Sequence, residues 1–177
     1  MPDLRTMEVI LRPAEPRDVS AMLALVKELA IFEREPDAVT VTVEEMRDAG
    51  FGPKPVWFGW IAEEPGDGPH NRQQTTGNGI LGIAICYERY STWKGRRLYL
   101  EDIVVTESAR GHRIGEKLFK QCAAYAVEQN YKGMLWQVLD WNTGAIRFYD
   151  RFGASFSDEW RNGSLEIDQL KALLQRS

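Results

Sequence analysis

The chain predicts an α/β fold: a central, mixed but mostly antiparallel twisted sheet of about seven strands, flanked by helices. Three observations carry that prediction. Seven short runs are rich in β-branched, aromatic and other apolar residues and are bounded by Gly, Pro or polar turns. Between them lie segments whose apolar residues recur at helical spacing. One stretch, LYLEDIVVTESARGHRIGE from Leu98 to Glu116, reads as strand, glycine-containing turn and helix in direct succession.

In chain order, residues 8–12 (EVILR) form the first strand, closed by Pro13. Pro16 suits the first turn of a helix. Val19, Met22, Leu23, Val26, Leu29 and Ala30 make that helix amphipathic to about residues 32–34, and Pro36 stops it. Thr42 caps a short second helix over 42–48, with Glu45 as its capping-box partner. Residues 56–62 are aromatic and β-prone, a second strand. Residues 64–78 are rich in Gly, Pro, Asn and Gln and lack periodicity, which predicts a long, exposed and disordered loop.

Residues 80–90 return to a strand pattern, and Lys94-Gly95-Arg96 turns the chain into the strand at 98–105, making a run of antiparallel strands. Ile114, Leu118, Cys122, Tyr125 and Ala126 stripe the third helix. A strand follows at 134–139. Asn142 as N-cap and Gly153 as stop bound a helix over 143–152. Residues 154–160 and 164–167 flank Asn162-Gly163, a strong hairpin signal. Residues 168–175 suit a terminal helix. No internal repeat is present.

The 177 residues suit one domain with a real core. A net charge of -4 argues against a general nucleic-acid binder and suits a cationic small substrate. Cys86 and Cys122 read as buried, reduced core residues, and metal-type spacing is absent. The only histidines are His70 and His112. The N-terminus lacks signal-peptide order and no apolar run is long enough to span a membrane, which predicts a cytoplasmic protein. Gly77 to Gly82 satisfies GxGxxG, but it follows a loop and enters a strand, the wrong context for a dinucleotide.

The stretch from Leu98 carries the chemistry. A turn entering a helix gathers backbone N–H donors at a positive dipole end, which suits phosphate. Glu101 and Asp102 lie just upstream. Strand alternation points them to opposite faces, so one of them faces the cleft.

The element order resembles the GNAT superfamily of acetyl-CoA-dependent acyltransferases. Its phosphate signature is Arg or Gln, two residues, Gly, one residue, Gly or Ala. Here it reads Arg110-Gly111-His112-Arg113-Ile114-Gly115, with Arg113 in place of the first Gly. KELAIFE (27–33), AGFG (49–52), LYLED (98–102), WN (141–142) and FYDRFGAS (148–155) resemble the spermidine/spermine (diamine) acetyltransferase group. The resemblance covers nearly the whole chain apart from 64–78.

It implies one GNAT domain over 1–177, acetyl-CoA as co-substrate, no metal, and direct attack by a small-molecule primary amine in a ternary complex. It also implies a homodimer, while the net charge and the lack of a long apolar run argue against nucleic-acid and membrane partners. Arg110, Gly111, His112, Arg113, Ile114, Gly115 and Glu116 then hold the pyrophosphate. Ile103, Val104 and Val105 lend main-chain hydrogen bonds to pantetheine. Asn142, Thr143, Gly144 and Ala145 start a second helix beside the cofactor, and Asn142 also reads as a plain N-cap.

Tyr149 is the expected general acid for the leaving thiolate and also borders the cofactor; Glu101 helps remove the amine proton, through water. Ser91, Thr92 and Trp93 occupy a segment that is acidic in the polyamine enzymes, and Ser91 stands where those carry Asp. Glu33, Asp158 and Glu159 offer negative charge to the acceptor, and Trp93 or Trp136 a cation–π contact. Diamines, polyamines and thialysine or lysine-like acceptors all suit this set. A protein lysine or N-terminal acetyltransferase and a non-catalytic acyl-CoA sensor are the alternatives.

Overall fold

Strand β1 (Ile10–Pro13) lies against β2 (Phe58–Glu63) in an antiparallel ladder, with Leu11 opposite Ala62. The join is fastened by Arg12. Its guanidinium donates to both carboxylate oxygens of the buried Asp18, at 2.7 and 2.9 Å, and to Glu63 on β2 at 2.9 Å. Strands β3 (Ile80–Ser91) and β4 (Gly95–Val105) continue the antiparallel run, and β5 (Met134–Leu135) adds a parallel edge. The sheet order is β1-β2-β3-β4-β5.

These features belong to a computed structural model that describes residues 7–66 and 79–175. The expected loop beyond Gly66, His70, and Gly77-Asn78 of the GxGxxG match lie outside the described residues. Gly82, the last glycine of that match, sits inside β3, with room for no side chain between Val104 and the Ile114 and Leu118 side chains. The chain divides into two compact units, Met1–Gln137 and Val138–Ser177.

In the first unit, helix α1 (Val19–Phe32) packs Val19, Met22 and Leu25 onto Ile61, Ile83, Ile85 and Val104. Helix α2 (Val43–Phe51) joins that layer through Met46, and its capping box forms as the sequence predicts, with the Glu45 amide donating to Thr42 Oγ1 at 3.1 Å. Helix α3 (Ile114–Glu128) buries Ile114, Leu118, Phe119 and Cys122. Cys86 and Cys122 are buried and unbridged, their sulfurs 3.7 Å apart. The β3–β4 hairpin closes through Thr92, Trp93 and Lys94, with Gly95 left-handed at φ +80.

The second unit contains helices α4 (Thr143–Asp150) and α5 (Ile167–Leu174). The expected strands at 154–160 and 164–167 are absent, so among the described residues the sheet has five strands rather than about seven. The side chains of 155–166 are exposed. No buried face fixes a register there, and a lone two-stranded ribbon is marginal in water. The strand expected over 134–139 shortens to Met134–Leu135.

Candidate active site

The turn between β4 and α3 is built by side chains from α1. Glu28 accepts from the Thr106 hydroxyl at 3.0 Å and from the Glu107 amide at 2.7 Å. Arg110 approaches the same carboxylate at 3.7 Å, donates through Nε to the Val105 carbonyl at 3.1 Å, and lies over the Phe32 ring. The Arg110 side chain therefore braces the turn it begins. Gly111 follows at φ +86, with open space where a Cβ would stand. Arg113 then takes φ 60, ψ 18, a left-handed conformation that costs an L side chain about 1 kcal/mol. The helical ladder begins directly behind it, the Lys117 amide donating to the Arg113 carbonyl at 3.1 Å. Amides of a first helical turn point out of the helix end, so this turn presents donors to an anion. Ile114 is buried, and Glu116 holds Lys120 at 2.7 Å.

Strand β4 leads into that turn. Strand β5 pairs with it only at Leu98 and Tyr99. Among the described residues, β4 from Leu100 to Val105 thus has no strand on that side, and this open edge includes Ile103, Val104 and Val105. An extended ligand can add to such an edge by main-chain hydrogen bonds. The Val104 side chain is buried in the core.

Glu101 occupies a β-bulge. Asp102 pairs with Ile85 and Leu100 with Cys86, so Glu101 is the extra residue on β4. A bulge re-aims side chains, and the strict alternation expected of Glu101 and Asp102 does not hold here. Glu101 is exposed. Asp102 is largely buried, and burial, then the charges of Glu101 and Glu33, push its carboxyl up to about 6. Glu33 follows the last residue of α1, and burial raises its own pKa.

Beside Glu101 lies an aromatic pair that strand periodicity did not single out. Tyr87 and Tyr99 stand opposite each other on β3 and β4 and stack, with centroids 4.9 Å apart and planes at 25°. Burial and then the Glu101 charge raise both phenols. Arg89 reaches over the Tyr99 ring, 5.5 Å from its centroid. The i, i+2 spacing of Tyr99 and Glu101 was the available signal. What hid it was the cross-strand register, which only pairing defines.

At the hairpin end, Ser91 Oγ accepts from the amides of Trp93 and Lys94 at 3.3 and 3.1 Å. Trp93 is 86% exposed. Trp136 packs edge-to-face on Phe119. In the second unit, Asn142 caps α4 by accepting from the Ala145 amide at 3.1 Å, ahead of Thr143 and Gly144. Tyr149 is buried at 5% exposure, with Phe148 against its ring. Glu159 and Asp158 are exposed in an irregular segment.

A bulged carboxylate, an open strand edge and a left-handed entry to a helix thus follow one another along β4 into α3. The model of the acetyltransferase (GNAT) family matches residues 27–154, and the chain belongs to that family. It is an acetyltransferase, and GNAT acetyltransferases use acetyl-CoA as co-substrate. The chain is 37% identical over 149 residues to a thialysine N-epsilon-acetyltransferase of Bos taurus, covering 82% of this chain and 84% of that one. It is 34% identical over 144 residues to a spermidine/spermine N(1)-acetyltransferase-like protein 1 of Homo sapiens, covering 81% of this chain and 20% of that relative. An integron cassette protein from the mobile metagenome of V. cholerae superposes with a TM-score of 0.72 at 22% identity, over 96% of this chain and 99% of the other. That likeness is one of fold.

Proposed function

We propose that this acetyltransferase acetylates a primary amine of a small molecule, a diamine, polyamine or thialysine- or lysine-like acceptor, by direct attack in a ternary complex. The observation that carries the reading is the continuous path from Glu101 along the open edge of β4 into the Gly111–Glu116 turn. Relatives named for thialysine and for spermidine/spermine support the acceptor class.

The residues suit the cofactor. Backbone amides from Gly111 to Glu116 hold the diphosphate, and the Arg113 cation adds to them. The edge at Ile103, Val104 and Val105 takes the pantetheine, and the start of α4 at Asn142, Thr143, Gly144 and Ala145 borders it. When bound, acetyl-CoA supplies the thioester carbonyl that is attacked and the thiolate that leaves. Glu101 draws the acceptor's ammonium and accepts its proton through water, since a carboxylate both attracts an alkylammonium and can relay its proton. Tyr149 donates a proton or a hydrogen bond to the departing sulfur. The match of one family model across residues 27–154 supports a single acetyltransferase domain.

We also place the protein in the cytoplasm as a homodimer acting without metal, nucleic acid or membrane. No helix among the described residues is long and apolar enough to cross a membrane. Light scattering tests the dimer.

The deciding experiment is free-thiol release from acetyl-CoA with a panel of amines beside lysine-containing and N-terminal peptides. Turnover with small amines and none with peptides is expected. Turnover confined to peptides, or absent altogether, overturns the reading.

A further inference from the structure

Cys86 and Cys122 are the two cysteines of the chain, and packing brings them together from 36 positions apart. Cys86 lies in β3, at the middle of the sheet, where it pairs with Phe58 on β2 and Leu100 on β4. Cys122 lies on the buried face of α3. Their sulfurs stand 3.7 Å apart, in contact, unbridged and fully buried. The hydrogen bond with Cys122, then burial, push the Cys86 thiol up, which keeps the resting pair as unreactive thiols. The chain between the two cysteines carries the Glu101 bulge, the open edge at 103–105 and the turn at 111–116. Leu100, opposite Cys86, is the residue next to the bulge.

We propose that Cys86 and Cys122 form an oxidation site, in which a peroxide converts them to an intramolecular disulfide that ties α3 to the middle of the sheet and slows acetyl transfer. The bridge goes beyond the amine-acetyltransferase reading above, and its effect on turnover rests on that reading. One cysteine, as thiolate, attacks a peroxide oxygen; the O–O bond breaks and a sulfenic acid forms. The second attacks that sulfur, the S–S bond forms and hydroxide leaves with the remaining thiol proton as water. Two thiols and one hydrogen peroxide thus give one disulfide and two waters, the sulfurs losing two electrons to the peroxide. A bond of about 2.05 Å draws the sulfurs together by roughly 1.7 Å. A close-packed interior transmits such a shift, on one side to the strand pair at the bulge and on the other to the helix that begins at the turn. Peroxide reaches the buried pair through local opening of α3 from the sheet, so the reaction is slow. In a reducing compartment a bridge of this kind is transient and redox-sensing.

The test treats the whole protein with hydrogen peroxide, alkylates the remaining thiols in denaturant and maps the peptides by mass spectrometry. A peptide joining Cys86 to Cys122, loss of both free thiols and reversal by dithiothreitol are expected. Thiol release from acetyl-CoA with the best amine should fall at least about tenfold in the bridged protein, since a shift of about 1 Å is costly at a reacting centre. Cys122→Ala should keep its turnover through the same treatment; the peptide map of wild type decides the bridge even where that variant fails to fold. Thiols that stay free, sulfinic acids or chain-to-chain disulfides in place of the bridge overturn the proposal. So does a bridged protein with unchanged turnover, or a Cys122→Ala variant that peroxide inactivates as it does wild type. A reduced protein that acetylates no amine overturns the amine-acetyltransferase reading instead, and the peptide map still decides the bridge.

Discussion

Asp102 shows how one residue's surroundings become measurable. Its carboxyl is pushed up to about 6 from an ordinary 3.8, first by burial and then by the charges of Glu101 and Glu33. The folded protein thus binds that proton more tightly than the unfolded chain. The resulting stability is complete below about pH 3.8 and is lost as pH rises through about 6. At about 1.4 kcal/mol per pH unit the gap amounts to roughly 3 kcal/mol. Asp102→Asn should therefore melt higher than wild type at pH 8, and its advantage should shrink toward pH 4. Parallel melting curves at both pH values would contradict this account of Asp102. Tyr149 is judged by kinetics instead. Tyr149→Phe keeps the buried ring and removes the hydroxyl, so kcat should fall about 10²-fold while the acetyl-CoA KM moves little. Unchanged turnover at saturating cofactor would remove Tyr149 from the proposed role.

At the scale of elements, the entry to α3 sets stability against binding. Arg113 holds φ 60 where the family signature has glycine. Arg113→Gly should stabilise the fold by about 1 kcal/mol in denaturant melts, because glycine occupies that region without strain. The same change removes a cation from the proposed diphosphate site, so calorimetry should find weaker binding of CoA. A variant neither more stable nor weaker in binding would place Arg113 outside both roles. The turn itself was legible in the sequence as a glycine-containing strand-to-helix link. Its bracing by Glu28 was not, since Glu28 lies 78 residues before Thr106 and only packing brings them together. The Asn162-Gly163 signal misled for a related reason. A favourable turn closes a hairpin only where flanking strands have a face to bury.

Over the whole molecule, the helix α1 layer carries the first unit. Leu25 is fully buried among Ile61, Ile83 and Val104. Leu25→Ala should cost about 2–5 kcal/mol in unfolding free energy, read as a lower denaturant midpoint. A loss below about 1 kcal/mol would mean this layer repacks freely. The same layer reaches the proposed site, because α1 supplies both Glu28 under the turn and, just past its end, Glu33 near Asp102.

Read alone, the sequence determined the α/β class, the order of helices and strands through the hairpin at 92–94, the Thr42 and Asn142 caps, the buried cysteine pair and the strand-to-helix stretch at which the site is proposed. Those features follow from neighbours in the chain: apolar periodicity, cap spacing and turn residues act over a few positions. Only the tertiary structure decided that Glu101 bulges out, that Asp102 keeps its proton to about pH 6, and that Tyr87, Tyr99 and Arg89 line the strip beside them. Register and burial belong to pairs of strands, and no periodicity within one strand encodes which residue of its partner it will face.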